Sequence, residues 1–334
     1  MILVTGGTGR FGEQVIRTLR KLGLDVRALV RKGSQYYWLN DTGCGFYFGD
    51  LLDPVSLRRA CRDIEYLVVC SGVQVETRTN NHTTVTVEGH SALFKAARER
   101  GVKKAVMISC MGVDRGYPVP SFDARKGAEE QLVSSGLEYT ILRPQLHEHF
   151  FLDMAWRVHD KGSAVLPSKG QNQLQPVAAR DVALMAAASL DLASVANQVI
   201  EVGGPDRMSA HDAFSAACRV VGVDPSATVL PAPAVQLGRR LGRPVRRYAH
   251  RLAEVATWFD DDFTVDAEAL KARFNIPLTP FSDALAQTNE VYKVMRDPEA
   301  REKRMVHPQF YATVYEPGEA DWHALPDGPA PARD

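Results

Sequence analysis

The fold of this chain is decided by the stretch Thr5-Gly6-Gly7-Thr8-Gly9-Arg10-Phe11-Gly12. An apolar run precedes it and an amphipathic segment follows it, so the stretch lies at a strand-to-helix turn. Gly6 permits a tight turn, Gly9 lets the backbone approach a ligand without a Cβ in the way, and Gly12 lets the helix pack against the strand. Free N–H groups at the helix start attract phosphate. All eight residues are therefore predicted to bind the pyrophosphate of NAD or NADP.

Short apolar runs alternate with longer amphipathic segments through the first half of the chain, a pattern typical of βαβ units. The predicted strands of the sheet cover residues 2–5, 25–30, 45–48, 66–70, 105–109 and 139–142, and a further strand is predicted at 198–202 in the C-terminal lobe. The predicted helices between them cover residues 12–22, 54–61, 86–100 and 122–135. The fold class is α/β, with a Rossmann-type doubly wound parallel sheet and a small C-terminal α/β lobe.

The regular alternation loosens after residue 151, which suggests three regions. Residues 1–150 are predicted to form the dinucleotide-binding core, and residues 151–295 a lobe for substrate or partner that is interleaved with it. Residues 296–334 are rich in Pro, Gly and charge, which predicts an extended tail.

Arg31 bears on the choice between NAD and NADP. The second strand ends at Val30 and is followed by Arg31 and Lys32. An NAD site carries an acidic residue near this position for the ribose 2′-hydroxyl, whereas an NADP site carries arginine. Asp25 lies too early in the strand to serve. Arg31 therefore favours NADP(H), the alternative being a solvated basic turn.

Two further strand ends fit the same nucleotide site. Asp50 and Leu51 follow the third strand, and Asp50 is predicted to meet the adenine amine. The fourth strand ends at Cys70-Ser71-Gly72, which is predicted to lie beside the nicotinamide ribose.

Composition excludes several classes of function. The 334 residues contain 40 basic and 40 acidic side chains, so no global field favours nucleic acid as a partner. The five cysteines form no C-x-x-C pair, so neither zinc nor a disulfide framework is indicated. Because a buried strand begins at Ile2 and no apolar run is long enough to span a bilayer, we expect a cytoplasmic protein without a leader or a transmembrane segment.

Several motifs occur in the order found in the NmrA-like branch of the atypical short-chain dehydrogenases/reductases. They are T-G-G-T-G-x-x-G at residue 5, G-D-x-x-D at Gly49, G-V-K-K-A-V-M-I-S at Gly101, and K-x-x-x-E with L-E-Y-T-I-L-R-P from Lys126 to Pro144. Asp181 in A-A-R-D-V-A matches a further landmark. Over residues 1–290 the chain resembles this branch, and in its finer features it is similar to photosystem II assembly factors and to the nucleotide-binding accessory subunit of complex I.

The resemblance implies a catalytic tyrosine, a lysine four residues later that also binds the nicotinamide ribose, and a serine that holds the substrate oxygen. Ser109 and Lys126 match the serine and the lysine, but Phe122 stands at the tyrosine position. A phenyl ring cannot donate a proton. Lys126 is still expected to bind the cofactor, and some relatives of this branch reduce carbon-carbon double bonds without the tyrosine.

The segment after Pro144 is expected to cross above the nicotinamide, which makes Pro144 part of the cofactor site. His147 is a candidate proton donor there, as is His149, the alternative being that both line a loop. Two histidines with Glu148 are too few ligands for a zinc motif, so no metal is expected.

Two hypotheses follow. The first is an NADPH-dependent reductase of an apolar substrate that uses Lys126 and Ser109. The second is a dinucleotide-binding assembly factor, accessory subunit or redox sensor that acts through a protein partner. The candidate docking segments are the basic stretch that begins at Arg239 and ends at Arg251, and the tail after Asp297. A location beside a membrane complex is compatible with the second hypothesis.

Overall fold

The computed structural model describes residues 1–73, 76–168, 170–230, 237 and 243–297, with only the backbone described in 243–251. Its strands are β1 Ile2–Thr5, β2 Val26–Val30, β3 Gly45–Phe48, β4 Tyr66–Val69, β5 Lys104–Ile108, β6 Glu138–Pro144, β7 Ala164–Leu166, β8 Gln173–Leu174, β9 Gln198–Val202, β10 Met208–Ser209 and β11 Ala227–Val229. Seven of these pair in parallel in the order β3-β2-β1-β4-β5-β6-β9. The predicted doubly wound parallel sheet is confirmed.

Helices connect the strands on both faces of this sheet. They are α1 Arg10–Lys21, α2 Pro54–Ala60, α3 His90–Glu99, α4 Pro120–Ser134, α5 Glu148–Lys161, α6 Ala179–Ala188, α7 Ala210–Val221, α8 Arg243–Asp260, α9 Ala267–Phe274 and α10 Phe281–Arg296. A π-helical segment, His82–Gly89, precedes α3 and is capped by the side chain of Asn81, which accepts from the backbone N–H of Thr84. The helix predicted from residue 86 therefore starts earlier, in π geometry.

The central strands β1, β4 and β5 are buried on both faces, as their apolar sequences predict, whereas the residues of the edge strand β3 are exposed or half-buried. On one face, α1 and α6 pack against strand residues such as Val4 and Val106. On the other, α2, α3 and α4 cover residues such as Leu3 and Leu67. Because these strands run parallel, the carboxyl ends of β1, β2, β4 and β5 lie at one shared edge of the sheet. Ligands of doubly wound sheets bind at this edge.

The chain after α5 builds a second core and also returns to the sheet. The core is made of aromatic side chains from α4, α5, α7, α8 and α10, including Phe122, Phe151, Phe214, Phe259 and Phe281. The same region supplies β9 to the main sheet. The expected boundary after residue 150 falls inside α5, so a division just before that helix follows the structure better.

No described helix is both long enough and apolar enough to cross a bilayer.

Candidate functional site

The glycine loop between β1 and α1 leaves no space for side chains at two positions. Gly6 has a φ of +74°, and a Cβ there would lie 2.6 Å from the carbonyl carbon of Cys70 and from the nitrogen of Ser71. A Cβ on Gly12 would lie 2.1 Å from the carbonyl oxygen of Gly6. The turn is thus packed against the end of β4, and only glycine fits at either position.

The start of α1 presents unused donors beside this turn. Gly9 is the N-cap and supplies no side chain, and the first helical hydrogen bond runs from the N–H of Glu13 to the oxygen of Gly9 at 2.8 Å. Among the described residues, nothing accepts a hydrogen bond from the backbone N–H groups of Arg10, Phe11 and Gly12. Three convergent donors at a helix N-terminus, with glycines around them, fit a pyrophosphate.

Arg31 and Asp50 lie at the same edge, after β2 and β3, because the N–H of Gly49 bonds to the oxygen of Val30 at 3.0 Å. The Arg31 side chain is exposed and donates to Oδ1 of Asn80 at 3.2 Å. Asp50 uses Oδ1 to accept from the N–H of Leu52 at 3.0 Å, so its carboxylate also stabilises its own turn. Leu51 is buried beneath them.

A hydrogen-bonded chain runs from the end of β1 through the end of β4 to the first turn of α3. The Thr5 and Ser71 hydroxyls are 2.9 Å apart, and Ser71 Oγ lies 2.9 Å from Nε2 of His90. Burial lowers the pKa of His90 to about 4, so the ring is neutral. Its Nδ1 is buried with no partner among the described residues. Sequence reasoning missed His90, which belongs to no motif.

The register of α4 is set by a buried ion pair. Arg143 donates to Glu129 through Nε at 3.0 Å and Nη2 at 2.6 Å, which turns Glu129 inward. Arg125, one helical turn earlier, therefore faces the strand ends. It lies close enough to Cys110 and His90 for its charge to act on both: the pKa of Arg125 is raised, chiefly through its interaction with Cys110, and Arg125 helps to lower the pKa of His90.

Lys126 is exposed on α4 and makes no hydrogen bond or ion pair with any described residue. The K-x-x-x-E match uses Lys126 and Glu130, and Arg125 and Glu129 have the same spacing one residue earlier. Packing places Glu129 against Arg143 and leaves Lys126 exposed. The contact of Lys126 with the nicotinamide ribose stays a prediction.

If Arg125 takes the place of the lysine, the position of the catalytic tyrosine on α4 also moves by one residue. Four residues before Arg125 stands Ser121, whose Oγ is buried without a hydrogen-bond partner among the described residues. Ser109 Oγ, at the end of β5, is in the same state. Phe122 instead is 1% exposed and packs against Trp258, with ring centroids 5.3 Å apart. Buried hydroxyls without partners are rare. Ser121 shares a face of α4 with Arg125, and Ser109 directly precedes Cys110, on which the Arg125 charge acts.

His147 follows Pro144, the last residue of β6, and lies against the nucleotide loop. Its ring stacks on Phe11 with centroids 5.0 Å apart. Nδ1 lies 3.2 Å from the carbonyl oxygen of Val177, which can only accept, so Nδ1 carries the proton. Burial lowers the His147 pKa, and the neutral ring offers a lone pair at Nε2 rather than a proton.

His149 turns away toward α10, where its ring stacks on Tyr292 at 6.0 Å. Burial lowers its pKa to about 4.

The two candidate docking segments cannot be placed. The side chains from Arg239 to Arg251 and the tail after Asp297 lie outside the described residues.

Comparison with known proteins is consistent with this geometry. An NAD(P)H-binding family model matches residues 6–192. The NAD(P)H azoreductase of Xenophilus azovorans is 29% identical over 222 residues, which cover 66% of this chain and 74% of that protein. The photosystem II assembly factor Ycf39 of Synechocystis is 27% identical over 246 residues, covering 72% of this chain and 74% of that protein.

Solved structures share the fold. The NADPH-dependent quinone oxidoreductase QOR2 of Escherichia coli, complexed with NADPH, superposes with a TM-score of 0.68 at 22% identity, over 86% of this chain and 99% of that one. The triphenylmethane reductase of Citrobacter with NADP(H) gives a TM-score of 0.67 at 22% identity, over the same shares.

Proposed function

This chain belongs to the NAD(P)H-binding family, and on that premise we propose that it is an NADPH-dependent reductase of an apolar, conjugated acceptor such as a quinone or an azo compound. The chain is a reductase-like NAD(P)H-binding protein that is related to an NAD(P)H azoreductase and to Ycf39.

The observation that carries the proposal is that two hydroxyls, those of Ser109 and Ser121, are buried without hydrogen-bond partners among the described residues. Ser109 directly follows β5 and precedes Cys110, on which the Arg125 charge acts, and Ser121 shares a helix face with Arg125, so we expect the three to meet beside the nicotinamide. A guanidinium keeps its proton at every physiological pH, so it provides a fixed positive charge. Two hydroxyls beside it complete a set of donors for a substrate oxygen or nitrogen.

NADPH held by the glycine loop and the backbone N–H groups of Arg10, Phe11 and Gly12 would supply a hydride. Arg125 then stabilises the negative charge that develops on the acceptor atom, and Ser109 and Ser121 donate hydrogen bonds to it. Phe122 has no proton to donate, and the hydroxyl of Ser121, four residues before Arg125, is too weak an acid to protonate the acceptor. This favours acceptors whose conjugation spreads the added charge, because the proton can then come from water after the hydride.

Neutral His147 has a positioning role in this scheme. Its proton is held on Nδ1 by the Val177 carbonyl, so the ring lacks a proton to deliver from Nε2. Stacked on Phe11, it forms an apolar wall beside the nucleotide loop. Lys126 has no role at the reacting atoms.

Arg31 supports NADPH over NADH as the cofactor. It is exposed, stands directly after β2 and keeps guanidinium donors beyond the one bound to Asn80. Arginine at this position accommodates the 2′-phosphate.

The relatives named as assembly factors favour a second function, in which the chain binds the nucleotide and acts through a partner without turnover. The two functions differ in one measurable property. With the full chain and NADPH, acceptor-dependent loss of the reduced-nicotinamide absorbance is expected for a para-quinone or an azo dye. Tight NADPH binding without oxidation across quinone, azo and triphenylmethane acceptors would support the second function and rule out the first.

A further inference from the structure

A charged groove of about 410 Å³ lies between α5 and α10, beside the nucleotide loop but outside the site above. We call it the α5–α10 groove. Its lining includes Arg10 of the nucleotide loop, Trp156, Arg157 and Lys161 of α5, and Tyr292 and Arg296 of α10.

Cations outnumber carboxylates in this groove. Arg10 is paired with Asp153 at 2.6 Å and Arg296 with Asp160 at 2.5 Å. Arg157 and Lys161 stand one turn apart on α5, both exposed, and neither has an ion-pair partner among the described side chains. The two ion pairs cancel the charges of Arg10 and Arg296, so the positive charges of Arg157 and Lys161 are left for an anionic ligand.

Aromatic rings hold the paired cations in place. The Arg296 guanidinium lies 4.3 Å from the centroid of the Trp156 ring, and that of Arg10 lies 4.9 Å from the Tyr292 ring. Trp156 is itself fixed by a 2.9 Å hydrogen bond from Nε1 to Asn289. The groove is therefore a built surface of stacked arginines, with apolar area from Met295 beside it.

The remainder of the chain offers a complementary segment. Residues 305–332 contain no lysine or arginine, and within them Glu316, Glu319 and Asp321 fall in six residues, followed by Trp322. The chain leaves α10 at Arg296, in the groove itself. The acidic segment begins about 19 residues after the last described residue, a length that spans roughly 60 Å when extended, ample for a return.

We propose that the acidic segment of residues 316–321 binds in the α5–α10 groove of its own chain, with its carboxylates on Arg157 and Lys161. Attachment to α10 raises the effective concentration of the segment, so a few charge pairs suffice. Because Arg10 belongs both to the groove and to the nucleotide loop, the bound tail lies next to the pyrophosphate cradle.

Zero-length carbodiimide crosslinking of the full chain, read by mass spectrometry, tests this contact. The expected product joins Lys161 to Glu316, Glu319 or Asp321 and decreases several-fold at high salt, where exposed pairs are screened. Lys161→Arg keeps the charge and removes the amine, so it abolishes the product. Exposed Lys126 and Lys271 are matched lysines that should not join the tail.

A charge exchange separates a specific contact from chance encounter. Lys161→Glu with Arg157→Glu should abolish crosslinking to the acidic segment, and adding Glu316→Lys, Glu319→Lys and Asp321→Lys should restore a product between the exchanged positions. Mixing isotope-labelled and unlabelled chains shows whether the bond is intramolecular. Equal crosslinking of the tail to all surface lysines, or products only between two chains, would overturn the proposal.

Discussion

Arg143 and Glu129 form a two-pronged ion pair in which Nε and Nη2 of the arginine lie 3.0 and 2.6 Å from the two carboxylate oxygens. The two side chains are only 11% and 5% exposed. The pair joins β6 to α4 and decides which side of α4 faces the strand ends. It therefore determines that Arg125, rather than its neighbour Lys126, stands near the predicted nicotinamide.

We expect Glu129→Ala to lower the free energy of unfolding by about 3 kcal/mol, because it leaves the buried Arg143 charge with only Asp114. Glu130→Ala is the matched control, since Glu130 is exposed one residue away, and its effect should stay within about 0.5 kcal/mol. Urea denaturation of both variants measures the difference. Similar losses in the two variants would show that the pair does not hold α4.

Gly12→Ala should abolish dinucleotide binding, because the new methyl group would lie 2.1 Å from the backbone oxygen of Gly6 and displace the loop. Gly127→Ala is the control: no atom lies within 4 Å of a Cβ there, and alanine in a helix is worth up to about 1 kcal/mol over glycine. Calorimetric titration with NADPH compares the two. Unchanged affinity in the Gly12 variant is incompatible with the proposed cradle.

Arg31→Ala should weaken NADPH binding by at least about tenfold and leave NADH binding nearly unchanged, because the 2′-phosphate is the only nucleotide group that the guanidinium is proposed to contact. Lys32→Ala, the neighbouring basic residue, is the control for general charge. Fluorescence titration with both nucleotides provides the affinities. Equal affinity of the parent chain for NADH and NADPH would remove the basis for NADP specificity.

Stability should fall as the pH drops from 6.5 toward 4, partly because of His90. Its folded pKa of about 4 is below its unfolded value, so in this window the unfolded chain binds a proton that the folded chain does not. The stabilisation is complete above pH 6.5 and is lost as the pH falls. In His90→Gln, the loss between pH 7 and 5 should be smaller by about 2 kcal/mol.

Exposed His211 provides the comparison for this prediction, because His211→Gln removes an imidazole and leaves the buried hydrogen-bonded chain at His90 untouched. Urea unfolding at the two pH values measures all three proteins. Identical pH dependence in the parent and in His90→Gln would mean that the ring is not held neutral by burial.

The parts of the fold that follow from local chemistry were predictable. The glycine loop could be identified from its spacing. A turn that has no room for a Cβ, followed by a helix whose N-terminus binds phosphate, requires glycine at fixed positions. Strands β1, β2, β4 and β5 were recognisable because residues buried on both faces form continuous apolar runs. Residues 198–202 were also predicted as a strand, but in the lobe: the pairing of β9 with β6, more than fifty residues away in the chain, cannot be read from periodicity.

The candidate site was only partly predictable. Adjacent basic residues at 125 and 126 and adjacent acidic residues at 129 and 130 satisfy the same motif in two registers, and a long-range contact with Arg143 chooses between them. His90 lies at the site because α3 begins there, and no motif in the sequence marks it. Ser121 was missed for the same reason as Arg125, since its position depends on the register of α4.

The most direct test of the proposed reductase compares Arg125→Met with Lys126→Met in NADPH oxidation by a para-quinone, with NADPH affinity measured alongside. We predict that the first variant lowers kcat/KM by about 10²-fold, the typical effect of removing a group that stabilises developing negative charge, whereas the second stays near the parent value. Loss of activity in Lys126→Met with full activity in Arg125→Met would contradict the account.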